Sequence, residues 1–145
     1  MEDAERIWHM QIEAFRELLE RYQDMETSPG NESLEKVVNR LKQPFTYFYF
    51  IEAEGETAGA IRVTDDKNGS PKRISPLFIL PEFRNRGLAQ AAILEAERLH
   101  GSENWSLDTI LQETGNCHLY EKMGYRRTGE AEAVNDRMTL VRYRK

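Results

Sequence analysis

The sequence has little that could form a covalent or metal-bound framework. Of its 145 residues one is a cysteine, Cys117, and three are histidines, His9, His100 and His118. A single thiol excludes an internal disulfide and a thiolate cluster, and the histidines lack the spacing of metal ligands. We therefore expect no metal site. An isolated thiol also suits a reducing cytoplasm, where we expect the protein to act.

Long apolar runs and an excess of basic charge are missing as well. No run is long enough to cross a bilayer, and the N-terminal segment is acidic rather than a basic signal peptide. The formal net charge is −5, whereas a nucleic-acid-binding protein normally carries a basic face. We expect neither nucleic acid nor membrane among the partners. The length, with 31% charged and 39% apolar residues, predicts one domain over residues 1–145.

What the chain does contain is an ordered series of helical and strand patterns. Apolar residues at three- and four-residue steps predict a first helix over Asp3–Asp24, and Ser33 can begin a second one that ends before Pro44. The segments that follow are the strands Phe45–Ala53, Thr57–Thr64 and Arg73–Leu80, the helix Leu88–Leu99, the strand Trp105–Ile110, the helix Asn116–Met123 and the strands Arg127–Val134 and Arg137–Tyr143. This order predicts an α+β or mixed α/β domain, a mostly antiparallel sheet with helices packed on it. Pro76 cannot donate to a strand ladder, so we expect it at a bulged or unpaired position.

The most informative segment runs from Ile79 to Ala89, where a strand ends in a short loop and a helix begins. The unpaired N–H groups of a helix start and the positive end of its dipole make a binding site for an anion. Gly87 lets the backbone approach that anion closely, and Arg84 and Arg86 can pair with phosphate oxygens. The segment lacks the Gly-Lys-Ser/Thr of a triphosphate loop and the spaced glycines of a dinucleotide fingerprint. The anion is therefore predicted to be neither ATP nor NAD.

A second segment, Asn116–Tyr125, indicates what the anion is. The pattern Arg84-x-x-Gly87-x-Ala89 resembles the acyl-CoA pyrophosphate loop of the GNAT superfamily of N-acetyltransferases. The second segment is similar to that superfamily's other signature, a helix beside the cofactor followed by a strand, and the order of elements matches too. The resemblance implies a GNAT-type twisted, mostly antiparallel sheet flanked by helices, with acetyl-CoA as the acyl donor.

One departure from the family pattern concerns the start of the chain. The family usually begins with a strand, whereas here a helix comes first, so we expect either that the first strand is absent or that the true start lies upstream of this chain. A sheet without it has an exposed edge that a partner chain could cover, which makes a homodimer possible.

The resemblance also implies roles for particular residues. The predicted cofactor-binding residues are Phe78, Ile79, Leu80, Arg84, Asn85, Arg86, Gly87, Leu88, Ala89, Asn116 and Tyr120. The third strand would part from its neighbour, and a backbone N–H near Ile79 or Leu80 would stabilise the tetrahedral oxyanion. Tyr120 is the predicted general acid, because a phenol with a pKa of about 10 is protonated at neutral pH and can donate to the departing thiolate. Its alternative role is that of a half-buried packing aromatic.

Two carboxylates are candidates for the general base. Asp108 near the end of its strand and Glu113 in the loop after it lie nearest to the expected acceptor side. Either could accept the amine proton through a water molecule. The alternative is that both are solvated or cap turns.

The sequence as a whole predicts an acetyl-CoA-dependent N-acetyltransferase that acts on a primary amine of a small molecule or peptide by direct attack. Two alternatives remain open: a non-catalytic acyl-CoA-binding regulatory module of the same fold, and a scaffold whose arginine loop binds a phosphate or an acidic peptide. We expect the acceptor pocket to form from the first two helices, their loop around Thr27–Asn31 and the last hairpin. These parts carry no motif that would identify the amine.

Overall fold

The computed structural model describes residues 2–24 and 28–145, so the Thr27 end of the predicted acceptor loop lies outside the described residues. Within these ranges there are four α-helices, six strands and two short 3₁₀ turns. The helices are α1 Glu2–Tyr22, α2 Leu34–Leu41, α3 Leu88–His100 and α4 Thr114–Lys122, and the turns are Pro29–Asn31 and Pro81–Phe83. The strands are β1 Thr46–Ala53, β2 Glu56–Thr64, β3 Lys72–Ile79, β4 Trp105–Ile110, β5 Arg126–Asn135 and β6 Met138–Arg144. The predicted order of elements is confirmed.

The six strands form one sheet in the order β1-β2-β3-β4-β6-β5. All neighbours are antiparallel except β3 and β4, which are parallel. The predicted fold class is confirmed, and in the described part of the chain α1 precedes every strand. Pro76 lies where the β2–β3 register shifts, between the pairs Ile61–Leu77 and Val63–Ile74, so its expected place at an irregularity is also confirmed.

The parallel neighbours separate soon after they meet. β3 and β4 pair through Lys72–Trp105 and Arg73–Ser106, and within the described ranges no later pair joins them. A gap therefore opens in the middle of the sheet towards the carboxyl end of β3. This is the parting of strands that the resemblance implied.

Helices pack on both faces of the first half of the sheet, which consists of β1, β2 and β3. The aromatic side chains of β1 alternate between these two faces. Tyr47 and Tyr49 contact the core under α3 and α4, whereas Phe48 and Phe50 contact the core under α1 and α2. The first core contains Ile61, Val63, Ile74, Ala92, Ile93, Ala96, Trp105, Leu107, Met123, Tyr125, Val141 and Tyr143. None of the helices in the described residues is long and apolar enough to span a bilayer.

The C-terminal end of α1 is attached to the second half of the sheet. The Asn135 amide in the last hairpin donates to the Tyr22 carbonyl at 2.8 Å, and the Arg137 guanidinium approaches the Arg21 carbonyl at 3.5 Å. Since carbonyls at a helix end lack intrahelical partners, these donors satisfy them and hold the helix in place. α1 thus bridges the two halves of the sheet beside the gap.

Candidate active site

A cavity of about 510 Å³ lies where β3 and β4 part. Its walls come from α1, the end of β3, the loop that follows, the first turn of α3 and the start of α4. Ten of the residues predicted from the sequence line it: Phe78, Ile79, Arg84, Asn85, Gly87, Leu88, Ala89, Glu113, Asn116 and Tyr120. Leu80, Arg86 and Asp108 are not among its lining residues. The fold therefore brings the two sequence segments to one place.

The first turn of α3 supplies backbone donors to one corner of the cavity. The first hydrogen bond of this helix joins the Ala91 N–H to the Gly87 carbonyl at 3.1 Å, so the N–H groups of residues 88–90 precede the helical ladder. Gly87 caps the helix with a φ of 75°, a left-handed conformation that costs glycine little, and Asn85 has a φ of 64°. The corner has the geometry of the predicted anion site.

The side chains of the two loop arginines point to different partners. The Nε of Arg84 donates to the Ile79 carbonyl at 3.1 Å, and its Nη2 donates to the Ala14 carbonyl in α1 at 2.8 Å. Arg86 lies over the Phe83 ring with its guanidinium carbon 5.4 Å from the centroid. The resemblance implied that both side chains reinforce a phosphate site, but the Arg84 guanidinium is bound to protein carbonyls.

One backbone N–H at the end of β3 faces the gap. The Leu80 N–H donates to the Ala58 carbonyl of β2 at 2.7 Å, and this donor is therefore used within the sheet. Successive N–H groups of an extended strand point to opposite edges, so the Ile79 N–H points towards the parted edge. Of the two predicted oxyanion donors, geometry thus favours Ile79.

Three tyrosines pack together beside the cavity, and their hydroxyls have different surroundings. The ring of Tyr120 lies 6.1 Å from that of Tyr125 and 6.2 Å from that of Tyr143. Tyr125 donates to Glu97 at 3.4 Å and Tyr143 donates to Glu121 at 2.7 Å. The Tyr120 hydroxyl makes no hydrogen bond to any residue that the structure describes, and its side chain lines the cavity.

The protonation of Tyr120 is set by its packing. Burial, assisted by the neighbouring Cys117, raises the pKa of Tyr120 to about 12. The phenol therefore keeps its proton throughout the neutral range. Cys117 itself packs half-buried against the core, with its Sγ 3.7 Å from the Ile110 carbonyl, as expected for a packing residue.

Glu113 enters the cavity from the loop between β4 and α4 and is bound by the end of α1. The Arg21 Nη1 donates to its carboxylate at 2.8 Å, and the Tyr22 hydroxyl donates to the same oxygen. Burial, followed by the adjacent Glu113 carboxylate, raises the pKa of Tyr22. This carboxylate is therefore held in one orientation at the edge of the cavity.

The sequence profile of a family described as Acetyltransferase (GNAT) domain matches residues 16–145. The chain belongs to this family. No curated protein sequence matches it. The GNAT family predicted from the two segments is thus confirmed.

Solved structures show the same GNAT fold at low sequence identity. Spermidine N-acetyltransferase from Vibrio cholerae, in complex with CoA and spermine, is 18% identical with a TM-score of 0.73, covering 97% of this chain and 88% of that one. A microcin C7 self-immunity acetyltransferase in complex with acetyl-CoA and AMP is 15% identical with a TM-score of 0.70, covering 97% and 84%. Aminoglycoside 6′-acetyltransferase type Ii is 17% identical with a TM-score of 0.69, covering 95% and 88%. Sequence identities this low show a similarity of fold alone.

Asp108, the other candidate base, lies outside the cavity, in a network of ion pairs on the sheet. Asp108 accepts from Arg142 at 2.9 Å and from Arg73 at 3.3 Å, and Arg142 also contacts Glu130 at 3.0 Å. Burial alone would raise the pKa of Asp108, but its hydrogen bonds and the charges of both arginines outweigh burial and lower it. Arginines of β3 and β6 thus bind both oxygens of Asp108, which is not among the residues that line the cavity.

Sequence reasoning placed the first helix at the expected acceptor pocket but did not identify which of its residues line the cavity. Residues Ala14, Phe15, Glu17, Leu18 and Arg21 all line the cavity. Their spacing in the sequence indicates a helix with one buried face but not what that face covers. The pairing of Tyr22 with Glu113 joins positions 91 residues apart, and no local signal predicts it.

Proposed function

We propose that this GNAT protein transfers the acetyl group of acetyl-CoA to a primary amine of a small molecule or peptide, by direct attack of the amine. The observation that supports this best is the Tyr120 hydroxyl, which has no hydrogen-bond partner in the described residues and lines the same cavity as the start of α3. A protonated phenol and a cluster of backbone donors in one cavity suit a reaction in which an anion is held and a thiolate leaves.

The residues present suit acetyl-CoA. The N–H groups of residues 88–90, beside a glycine without a Cβ, would hold the pyrophosphate, and Asn116 on the cavity wall would bind the pantetheine arm. When bound, acetyl-CoA supplies a thioester whose carbonyl carbon the amine attacks and whose sulfur departs. The described residues contain no group of His, Cys, Asp or Glu placed to hold a metal ion.

Three groups of the chain would carry the reaction. The Ile79 N–H, at the parted edge of β3, donates to the oxyanion. Tyr120, whose raised pKa of about 12 keeps the proton on Oη at neutral pH, would donate that proton to the departing sulfur. Glu113 receives the proton of the amine directly or through a water molecule. Asp108 has no role in this proposal, because it lies outside the cavity.

The amines named in the related structures suggest the first compounds to test. Spermine is bound to one related enzyme and another acts on aminoglycosides, and both compounds are cationic amines. The protein should be incubated with acetyl-CoA and a panel of polyamines, aminoglycosides, amino acids and peptides while free thiol is measured. We expect thiol release that depends on the amine.

Replacing Tyr120 by Phe tests the acid. We expect kcat to fall about a hundredfold, the usual scale of general acid catalysis, while calorimetry shows little change in CoA affinity. Tyr47→Phe is the matched control, because Tyr47 is a half-buried tyrosine of the same core outside the cavity. An unchanged rate in Tyr120→Phe would remove this residue from the acid role. Saturable CoA binding without transfer to any amine would instead favour the non-catalytic module.

A further inference from the structure

We infer that the Arg84 side chain is a positioning residue that fixes the end of β3 and α1 around the cavity, rather than a ligand of the cofactor phosphates. The inference rests on the proposed function. Its guanidinium makes contacts with three groups of the chain: the Ile79 carbonyl at 3.1 Å, the Ala14 carbonyl at 2.8 Å and the Glu17 carboxylate at 3.7 Å. These contacts use all three nitrogens of the fork.

The contact with Ile79 fixes one peptide of β3. The carbonyl of that peptide accepts from Arg84 Nε, and its N–H, on Leu80, donates to the Ala58 carbonyl at 2.7 Å. A peptide held at both its polar groups cannot rotate, because the peptide unit is planar. The same contact therefore restricts ψ of Ile79, the dihedral angle that joins this peptide to the one whose N–H faces the gap.

The contact with Ala14 sets the distance between two walls of the cavity. Ala14, Phe15 and Leu18 form the α1 wall, and Leu77 to Ile79 form the β3 wall. One planar guanidinium bonded to both walls holds them at a single separation, which the flexible point charge of a lysine does not do. The amine and the oxyanion donor would then meet in the same geometry at every turnover.

The Arg86 guanidinium, by contrast, contacts the 3₁₀ turn that precedes it and is not among the groups that line the cavity. Its Nη2 lies 3.5 Å from the Glu82 carbonyl oxygen, which is at the limit of a hydrogen bond. The residue is exposed, two positions before the start of α3. Both loop arginines are exposed, so they differ in their contacts: Arg84 donates to β3 and to α1, whereas the long hydrogen bond of Arg86 reaches only the preceding turn.

Two acyl donors separate these roles. Acetyl-CoA carries the pyrophosphate, whereas S-acetylpantetheine has the same thioester and arm without any phosphate. In Arg84→Gln we expect kcat to fall by a similar factor with both donors, roughly tenfold or more, because misplaced walls slow the chemical step itself. A loss confined to acetyl-CoA and expressed in its KM would contradict the inference and make Arg84 a phosphate ligand.

The control for this substitution is Arg98→Gln, which removes an exposed arginine paired with Glu95 on α3, outside the cavity. In Arg98→Gln we expect kcat to stay at the native level with both acetyl-CoA and S-acetylpantetheine. Arg84→Lys should recover little of the lost kcat. If Arg84→Gln merely lowers Tm and keeps the native kcat with both donors below its unfolding temperature, Arg84 is structural and the inference is wrong.

Deuterium exchange tests the inference without catalysis. In Arg84→Gln we expect faster uptake in peptides covering residues 10–18 and 77–84, and native uptake elsewhere. Unchanged uptake in both segments would contradict the inference. If the native protein releases no thiol from either donor, the proposed function fails, while this exchange experiment still decides the role of Arg84.

Discussion

The sheet is built differently on the two sides of the gap. β1, β2 and β3 lie between helices, with core residues on both of their faces. β4, β6 and β5 share the core under α3 and α4, but on these strands the ion pairs of Asp108, Arg142 and Glu130 are partly exposed, and nearly every residue of β5 is exposed.

Under the proposed function, this difference assigns backbone groups to one half of the sheet and reactive side chains to the other. The doubly packed half supplies backbone groups, at Ile79 and in the first turn of α3, whose positions depend on rigid packing. The singly packed half supplies side chains after β4, Glu113 and Tyr120, which reach the cavity from a loop and a short helix. We therefore expect substitutions in the first half to act on stability and geometry, and substitutions in the second to act on proton transfer.

The largest effect is expected at the contact between β2 and β3. Gly59 pairs with Ile79, and a Cβ at this position would lie 2.0 Å from the Phe78 carbonyl oxygen. Gly59→Ala must push the strands apart and should lower the free energy of unfolding by about 3 kcal/mol, measured by urea denaturation. Gly115→Ala in α4 is the control, because a Cβ there meets no atom within 4 Å and alanine favours a helix by up to about 1 kcal/mol. Equal stability of both variants would contradict the expectation that the packing of β1, β2 and β3 is rigid.

The next effect separates the two carboxylates of the second half. Glu113→Gln keeps an acceptor for Tyr22 but cannot take a proton, so kcat should fall roughly a hundredfold at neutral pH. Asp108 lies outside the cavity, so Asp108→Asn removes two ion pairs on the exposed face of the sheet and should keep kcat within about twofold. Steady-state kinetics with one amine measures both. The reverse ranking would show that proton transfer occurs on the ion-paired face of the sheet.

The smallest effect concerns the dependence of stability on pH. Because the pKa of Asp108 is lowered in the folded protein, its stabilisation is complete above the ordinary aspartate value of about 3.9 and is lost as pH falls through the lower folded value. Asp108→Asn should cost about 1 kcal/mol near pH 7. The difference from the native protein should shrink on acidification. A difference that grows at low pH would contradict the assigned ion pairs.

Those parts of the site that depend on local backbone geometry could be predicted from the sequence. Gly87 and the α3 start follow from a strand–loop–helix pattern, and Tyr120 follows from a short segment similar to a family signature. The structure places all of them on one cavity, while their roles remain predictions.

What could not be predicted depends on contacts between distant segments. Whether the N–H of Ile79 or of Leu80 faces the gap is decided by the register of β3 with β2. The sequence pattern predicts that the Arg84 guanidinium binds a phosphate. In the folded chain it binds a carbonyl of α1 instead, and no local pattern predicts that contact. The sequence predicts that Asp108 lies near the acceptor side. Its ion pairs could not be predicted, because the arginines that bind it come from two other strands. The homodimer stays a prediction.

The short pairing of β3 with β4 has a consequence for the order of folding. β1, β2 and β3 are joined by consecutive hairpins, whose closure costs little entropy, and we expect this meander to form early. β4 can join it only after the chain has crossed through α3, and two residue pairs then hold the parallel contact. We therefore expect the cavity to form last, so that the capacity to bind a ligand there appears in the last kinetic phase of refolding.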